Sequence, residues 1–240
     1  MAQTLPPLRA GASALLFGVP SVAMYVAITS GVPALSAAGV PMPVAWFAAG
    51  GPVFGLLLVM AAVAYARERR PWTVPALAER LRLRPMTRAD WGWAGAALAV
   101  SSIAIGAVLA LSHALASVTG LAPLTPTPAE LQFEPLGPGE YWMLLAWIPF
   151  FVANILGEEL LWRGIILPRQ ERAFGRHTWL VHSGFWLLFH LGFGPQMLVV
   201  TPIVVAQTYA VARRQNTTVG VVIHAALNGI GFLVVSLGGL

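Results

Sequence analysis

The chain has 240 residues, of which 58% are hydrophobic and 10% charged; soluble domains carry about 25% charged residues, so the composition argues against a water-soluble globule and points to lipid as the solvent. All 14 basic residues are Arg, against 9 acids, for a net charge of +5. They sit in short clusters between apolar runs, with no aromatic-interleaved basic stripe, which argues against a nucleic-acid partner. Cysteine is absent, which excludes disulfides, thiolate metal sites and a Cys nucleophile.

A helix needs about 20 apolar residues to cross a bilayer. In chain order the candidate spans are 11–30, 44–66, 91–118, 141–167, 178–193, 196–212 and 217–237. The expectation is an all-α, polytopic transmembrane helix bundle of about seven spans, in one integral membrane domain, 1–240. Arg9 precedes a long apolar run with no clear cleavage site, so the first segment reads as a retained span rather than a signal peptide. The fifth and sixth segments are short and are separated by Gly192, Gly194 and Pro195; they also read as one broken hairpin.

With seven spans, Arg9, the Arg67–Arg88 cluster, Arg169, Arg172, Arg176, Arg213 and Arg214 all fall on one side. Positive-inside logic makes that side cytoplasmic, the N-terminus included. The opposite loop, 119–140, is Pro-rich and holds Glu130, Glu134 and Glu140. Segment 74–84 reads either as an amphipathic helix on the cytoplasmic surface or as a solvated linker.

Ionisable groups within a span are costly in lipid and are functional candidates by default. Span four carries Glu158, Glu159 and Arg163. Glu159 and Arg163 are four apart and share a helix face, while Glu158 is turned about 100° away, so Glu159 is expected to pair with Arg163 and Glu158 to face elsewhere. A carboxylate in a low-dielectric cavity suits a general base; the alternative is a structural ion pair and an interfacial acid. Span five carries His190, either a catalytic imidazole or a satisfied interior residue. His182 reads as interfacial, His177 as solvated, and His113 has no evident partner. Ser183 precedes His190 by seven residues, but no acid stands beside the pair to complete a triad. Span seven carries His224 and Asn228, again four apart. Both can donate to a developing oxyanion, or glue helices together.

At 1.5 Å per residue, Glu158 lies about 15 Å from Pro168, His224 about 12 Å from Asn216 and His190 about 20 Å from His177. Three separate spans thus present a carboxylate, two imidazoles and an amide at a similar depth, which predicts a polar intramembrane cavity.

The three elements together, Glu158-Glu159-x-x-x-Arg163, an aromatic-x-x-x-His at Trp186–His190, and His224-x-x-x-Asn228, resemble the CAAX-protease and bacteriocin-processing family. This abortive-infection family includes the type II CAAX prenyl endopeptidases. The resemblance covers about 140–232, the expected catalytic core. Its middle motif usually carries Phe where this chain has Trp186, a change that bears on pocket shape rather than on His190. The resemblance implies an intramembrane endopeptidase in which Glu158 and His190 polarise a water, His224 and Asn228 form the oxyanion hole, and Glu159 and Arg163 play a supporting role. It implies no cofactor, a peptide or protein substrate, membrane-associated or not, and the lipid bilayer as surroundings. Rival readings are a zinc-dependent protease on Glu158, His190 and His224, a non-catalytic membrane immunity or scaffold protein, and a transporter using the same residues as a proton relay. Family members act on prenylated tails, bacteriocin leaders or membrane proteins, and the sequence selects neither among these nor an oligomeric state. The all-Arg, Ala-rich usage points to a prokaryotic cell membrane.

Overall fold

The computed structural model describes residues 5–239. Helix α1 (Ala10–Val26) continues through a π-helical turn (Ala27–Gly31) into α2 (Val32–Ala37). Next come α3 (Met42–Arg67), a short α4 (Val74–Arg80) and the long α5 (Arg88–Thr119). After a Pro-rich loop, α6 (Trp142–Glu158) passes into a π-helical segment (Glu159–Ile166) and then α7 (Leu167–Phe174). Helix α8 (Thr178–Phe189), a 3-10 segment (Leu191–Gln196), α9 (Met197–Arg214) and α10 (Thr217–Ser236) complete the chain. No strand occurs among the described residues.

The element ends follow local chemistry. Thr87 and Asp90 form a reciprocal capping box at the start of α5, and Gly120, at φ 73°, ends that helix in a left-handed conformation. Asn216 caps α10 by accepting from the Thr218 N–H at 3.1 Å. The same oxygen accepts from the Arg84 N–H at 3.3 Å, so one cap also ties α10 to the chain preceding α5.

Six helical stretches are long and apolar enough to cross a membrane, and the protein is a multi-pass membrane protein. One stretch, Trp142–Phe189, runs 48 residues but folds back at Gly175, where φ is 54° and ψ −130°. The predicted fifth span, 178–193, is therefore the returning arm of this stretch. Its helix has 12 residues, about 18 Å at 1.5 Å per residue, too short for a bilayer. The chain turns at Gly194 (φ 57°) and Pro195, so α8 and α9 form the broken hairpin that Gly192, Gly194 and Pro195 foreshadow. The turn nests on the π-helical turn that follows α1, where a Cβ on Gly192 would lie 3.1 Å from Ile28 Cδ1.

The basic loops meet at one end of the bundle. Arg82 pairs with Glu171 at 2.8 Å and Arg214 with Asp90 at 2.7 Å, and the Leu8 N–H donates to the Arg169 carbonyl. At the other end the Leu136 N–H donates to the Ser236 carbonyl, and Gln196 donates to Thr125. Segment 74–84 is neither a free linker nor merely a surface helix. Arg80 is buried, donates with two nitrogens to Glu68, and reaches the Gly164 carbonyl at 2.7 Å. In this way α4 is pinned to the π-helical segment.

The interior contains an aromatic stack in which Phe17 lies 4.2 Å from Trp162. Outward-facing Ile103, Leu111 and Val118 on α5 are strongly exposed, as expected of a surface that meets acyl chains. His182, read from sequence as interfacial, is fully buried. Its Nδ1 lies 2.7 Å from Gln170 Oε1, and Gln170 also donates to Ser13. The polar partners are on α1 and α7, which a linear reading of α8 does not reveal.

Candidate active site

The site forms where α6 meets α8 and α10. Close approach needs small residues there. A Cβ on Gly157 would lie 2.9 Å from the Phe54 carbonyl oxygen, and a Cβ on Gly220 would overlap Glu159 Oε2. These two glycines set α6 against α3 and bring α10 onto the π-helical segment.

Glu158 and Glu159, adjacent in sequence, are both buried but face different surroundings. Glu158 Oε2 accepts from Trp186 Nε1 at 2.6 Å, and Oε1 accepts from Asn154 Nδ2 at 3.2 Å. Glu159 Oε1 accepts from Arg163 at 3.0 Å and Gln207 at 2.7 Å, and lies 3.0 Å from His224 Nδ1. The expected division holds: Glu159 pairs with Arg163, and Glu158 faces elsewhere. The Arg163 guanidinium also lies 3.5 Å from the Trp186 ring centroid, a cation–π contact in a buried setting.

A carbonyl oxygen only accepts, so His190, 3.2 Å from the Trp186 carbonyl, donates from Nδ1 and keeps a lone pair on Nε2. By the same logic His224 donates from Nδ1 to the Glu159 carboxylate, and its Nε2 accepts from Asn228 Nδ2 at 3.1 Å. Asn228 Nδ2 also donates to Asn154 Oδ1 at 3.0 Å. A continuous chain of hydrogen bonds therefore runs Glu158–Asn154–Asn228–His224–Glu159 and links the two carboxylates through the intervening polar groups.

Glu158, His190, His224 and Asn228 all line one cavity of 520 Å³. The sequence places them on α6, at the end of α8 and on α10, and the fold brings them together. Glu159 and Arg163 do not line the cavity; they are fully buried behind it. Most of the remaining wall is aromatic or aliphatic, including Trp46, Phe54, Phe150 and Phe193. Pro126, Thr127 and Phe133 of the Pro-rich loop close one side. Among the described residues, no three His, Asp or Glu side chains converge as a metal-binding group.

Other sequence candidates lie elsewhere. Ser183 donates to the Trp179 carbonyl at 2.7 Å, a helix back-bond. His113 is bonded only to its own helix, at Leu109, and His177 is exposed. The sequence reading missed Asn154, Gln207 and the donor role of Trp186. Asn154 was within reach of the argument used for His224 and Asn228, since it stands four residues before Glu158 on the same face. Gln207 had a weaker signal, an amide within an apolar span.

Six helical stretches long and apolar enough to cross a membrane, with a carboxylate, two imidazoles and an amide on the wall of a largely apolar interior cavity, define a polytopic membrane protein. Residues 140–230 match the family model described as type II CAAX prenyl endopeptidase Rce1-like, so the resemblance carried by the three motifs is shown over that stretch. It contains α6, α8 and α9, most of α10 and every polar residue of the hydrogen-bonded chain. The comparisons with curated proteins and with solved structures each gave no match.

Proposed function

We propose that the chain is an intramembrane endopeptidase that hydrolyses a peptide bond with a water activated by protein side chains. The supporting observation is the convergence of Glu158, His190, His224 and Asn228 on one largely apolar cavity. Glu158 and the free Nε2 of His190 hold the water. As the water oxygen attacks the carbonyl carbon, its proton passes to Glu158. Negative charge develops on the carbonyl oxygen, which accepts from Asn228 Nδ2 and, when His224 beside the Glu159 carboxylate carries a second proton, from His224 Nε2. Both N–H bonds of Asn228 are engaged in the resting site, so the substrate oxygen displaces one of those contacts. Collapse of the tetrahedral species breaks the C–N bond, and Glu158 returns the proton to the leaving amine.

Glu159 and Arg163 act behind the site. Glu159 holds the tautomer and orientation of His224, and Arg163 neutralises Glu159 while lying against Trp186. The aromatic wall suits a substrate with an apolar or lipid-modified segment beside the scissile bond. A metal-independent reaction is favoured by the occupied groups: both Glu158 oxygens and both His224 ring nitrogens already have partners. Following the positive-inside rule, we assign the Arg-rich end to the cytoplasm, in a prokaryotic cell membrane.

The test is comparative proteomics of membrane fractions from cells carrying wild-type or Glu158→Ala protein. At least one new peptide terminus present with wild type is expected to vanish with the variant at equal protein abundance. If the termini are the same in both, the scaffold reading replaces the peptidase one.

A further inference from the structure

A second cavity of 680 Å³ opens at the Arg-rich end of the bundle, away from the catalytic residues. Its apolar wall is formed by Leu16, Met60, Ala64, Leu161 and Ile165, and its rim by Arg67, Arg69 and Arg169. Arg67 and Arg69 are exposed. Neither guanidinium takes part in an ion pair or hydrogen bond among the described residues, and the Arg169 side chain donates only through Nε, to the Pro6 carbonyl. Glu68 is the one acid on the rim, and Arg80 claims both its oxygens. The rim therefore offers three guanidiniums without a carboxylate partner among the described residues, above a greasy trough.

We propose that this groove binds one anionic phospholipid. Its phosphate would sit among Arg67, Arg69 and Arg169, and one acyl chain would lie along the half-buried Leu16, Met60 and Ala64. Guanidinium forks match phosphate oxygens in geometry as well as charge. The apolar wall distinguishes a lipid from a free phosphate ester, which has nothing to place there. Basic pockets between transmembrane helices at the cytoplasmic side are the setting in which anionic headgroups are held. Beneath that wall lie the buried Leu161 and Ile165, which belong to the π-helical segment that carries Glu159 and Arg163. Occupancy thus bears on the back of the catalytic helix.

The test uses the full-length purified protein in detergent with equimolar phosphatidylglycerol and phosphatidylcholine of identical acyl chains, and retained lipid is read by native mass spectrometry. With each guanidinium worth close to a fivefold preference for an anionic headgroup, phosphatidylglycerol is expected to be retained at least about tenfold over phosphatidylcholine. The Arg67→Gln, Arg69→Gln, Arg169→Gln triple variant should bring the two lipids to parity. A control triple, Arg88→Gln, Arg172→Gln, Arg176→Gln, removes the same charge from exposed positions outside the groove and should keep the preference. Ala64→Phe fills the trough without changing charge, and should lower retention of both lipids. Glycerol phosphate alone should not compete. The proposal is overturned if wild type shows no preference, if both triple variants lose it equally, or if glycerol phosphate displaces the lipid. Unfolding midpoints within a few degrees of wild type verify that each variant is folded.

Discussion

Trp186 donates its indole N–H to Glu158 Oε2 at 2.6 Å while its ring face carries the guanidinium of Arg163. The residue thus joins the carboxylate proposed as base to the ion pair behind it. The resembling family usually has Phe at this position, and Phe has no donor to offer. Trp186→Phe keeps most of the packing and removes one hydrogen bond to a charged group, worth about 1.5–3 kcal/mol. Cleavage is expected to fall by about ten- to a hundredfold, mainly in kcat. Unchanged turnover would show that the indole N–H is dispensable.

Asn154 should behave as part of the same unit as Asn228, since its amide bridges Glu158 and Asn228. Asn154→Ala and Asn228→Ala are each expected to reduce cleavage strongly. The double variant should be little worse than either, because coupled residues fail to add, by about 0.5–3 kcal/mol. Full additivity in a double-mutant cycle would mean that the chain of hydrogen bonds is not functional.

Removing Arg163 should cost stability as well as activity. Glu159 and Arg163 are both fully buried, and taking away one partner of such a pair is destabilising by about 3–5 kcal/mol. Arg163→Ala should therefore lower the thermal unfolding midpoint in detergent. Glu158→Gln keeps the packing and one of the two acceptors, so it should lower the midpoint less than Arg163→Ala while abolishing cleavage. Equal midpoints for both variants would contradict the supporting role assigned to Arg163.

Gly220 is the most restrictive backbone position at the site. A methyl group there overlaps Glu159 Oε2, so Gly220→Ala must move either α10 or the carboxylate that orients His224. Overpacking of this kind costs about 1–3 kcal/mol, and loss of cleavage should accompany a lowered unfolding midpoint. An active, fully stable Gly220→Ala protein would show that the contact between α10 and Glu159 is looser than described.

Chelation should leave cleavage intact if the water is activated by Glu158 and His190. Incubation with a strong chelator, followed by add-back of zinc, tests this directly. Loss on chelation and rescue by zinc would reverse the assignment and make His190 and His224 ligands.

Most of the bundle was legible before any tertiary structure. Apolar length and Arg clustering determined the spans from α1 through α5 and the common side of the basic loops. The i,i+4 rule correctly separated Glu158 from Glu159, because that division depends only on helical period. The same rule would have reached Asn154. Its reach ended at groups brought together from distant segments: Gln207 against Glu159, Gln170 against His182, and Arg80 against Gly164.

What the sequence by itself determined was the lipid setting, the all-helical class and the identity of the polar residues that had to avoid lipid. Those conclusions follow from transfer cost and helical geometry, which act on each segment separately. Only the tertiary structure decided between a separate fifth span and the broken hairpin, and which nitrogen of each imidazole is committed to a partner. It also decided that two neighbouring glutamates are joined through Asn154, Asn228 and His224. Those features depend on the approach of one helix to another, set by glycines and side-chain volumes far apart in the chain.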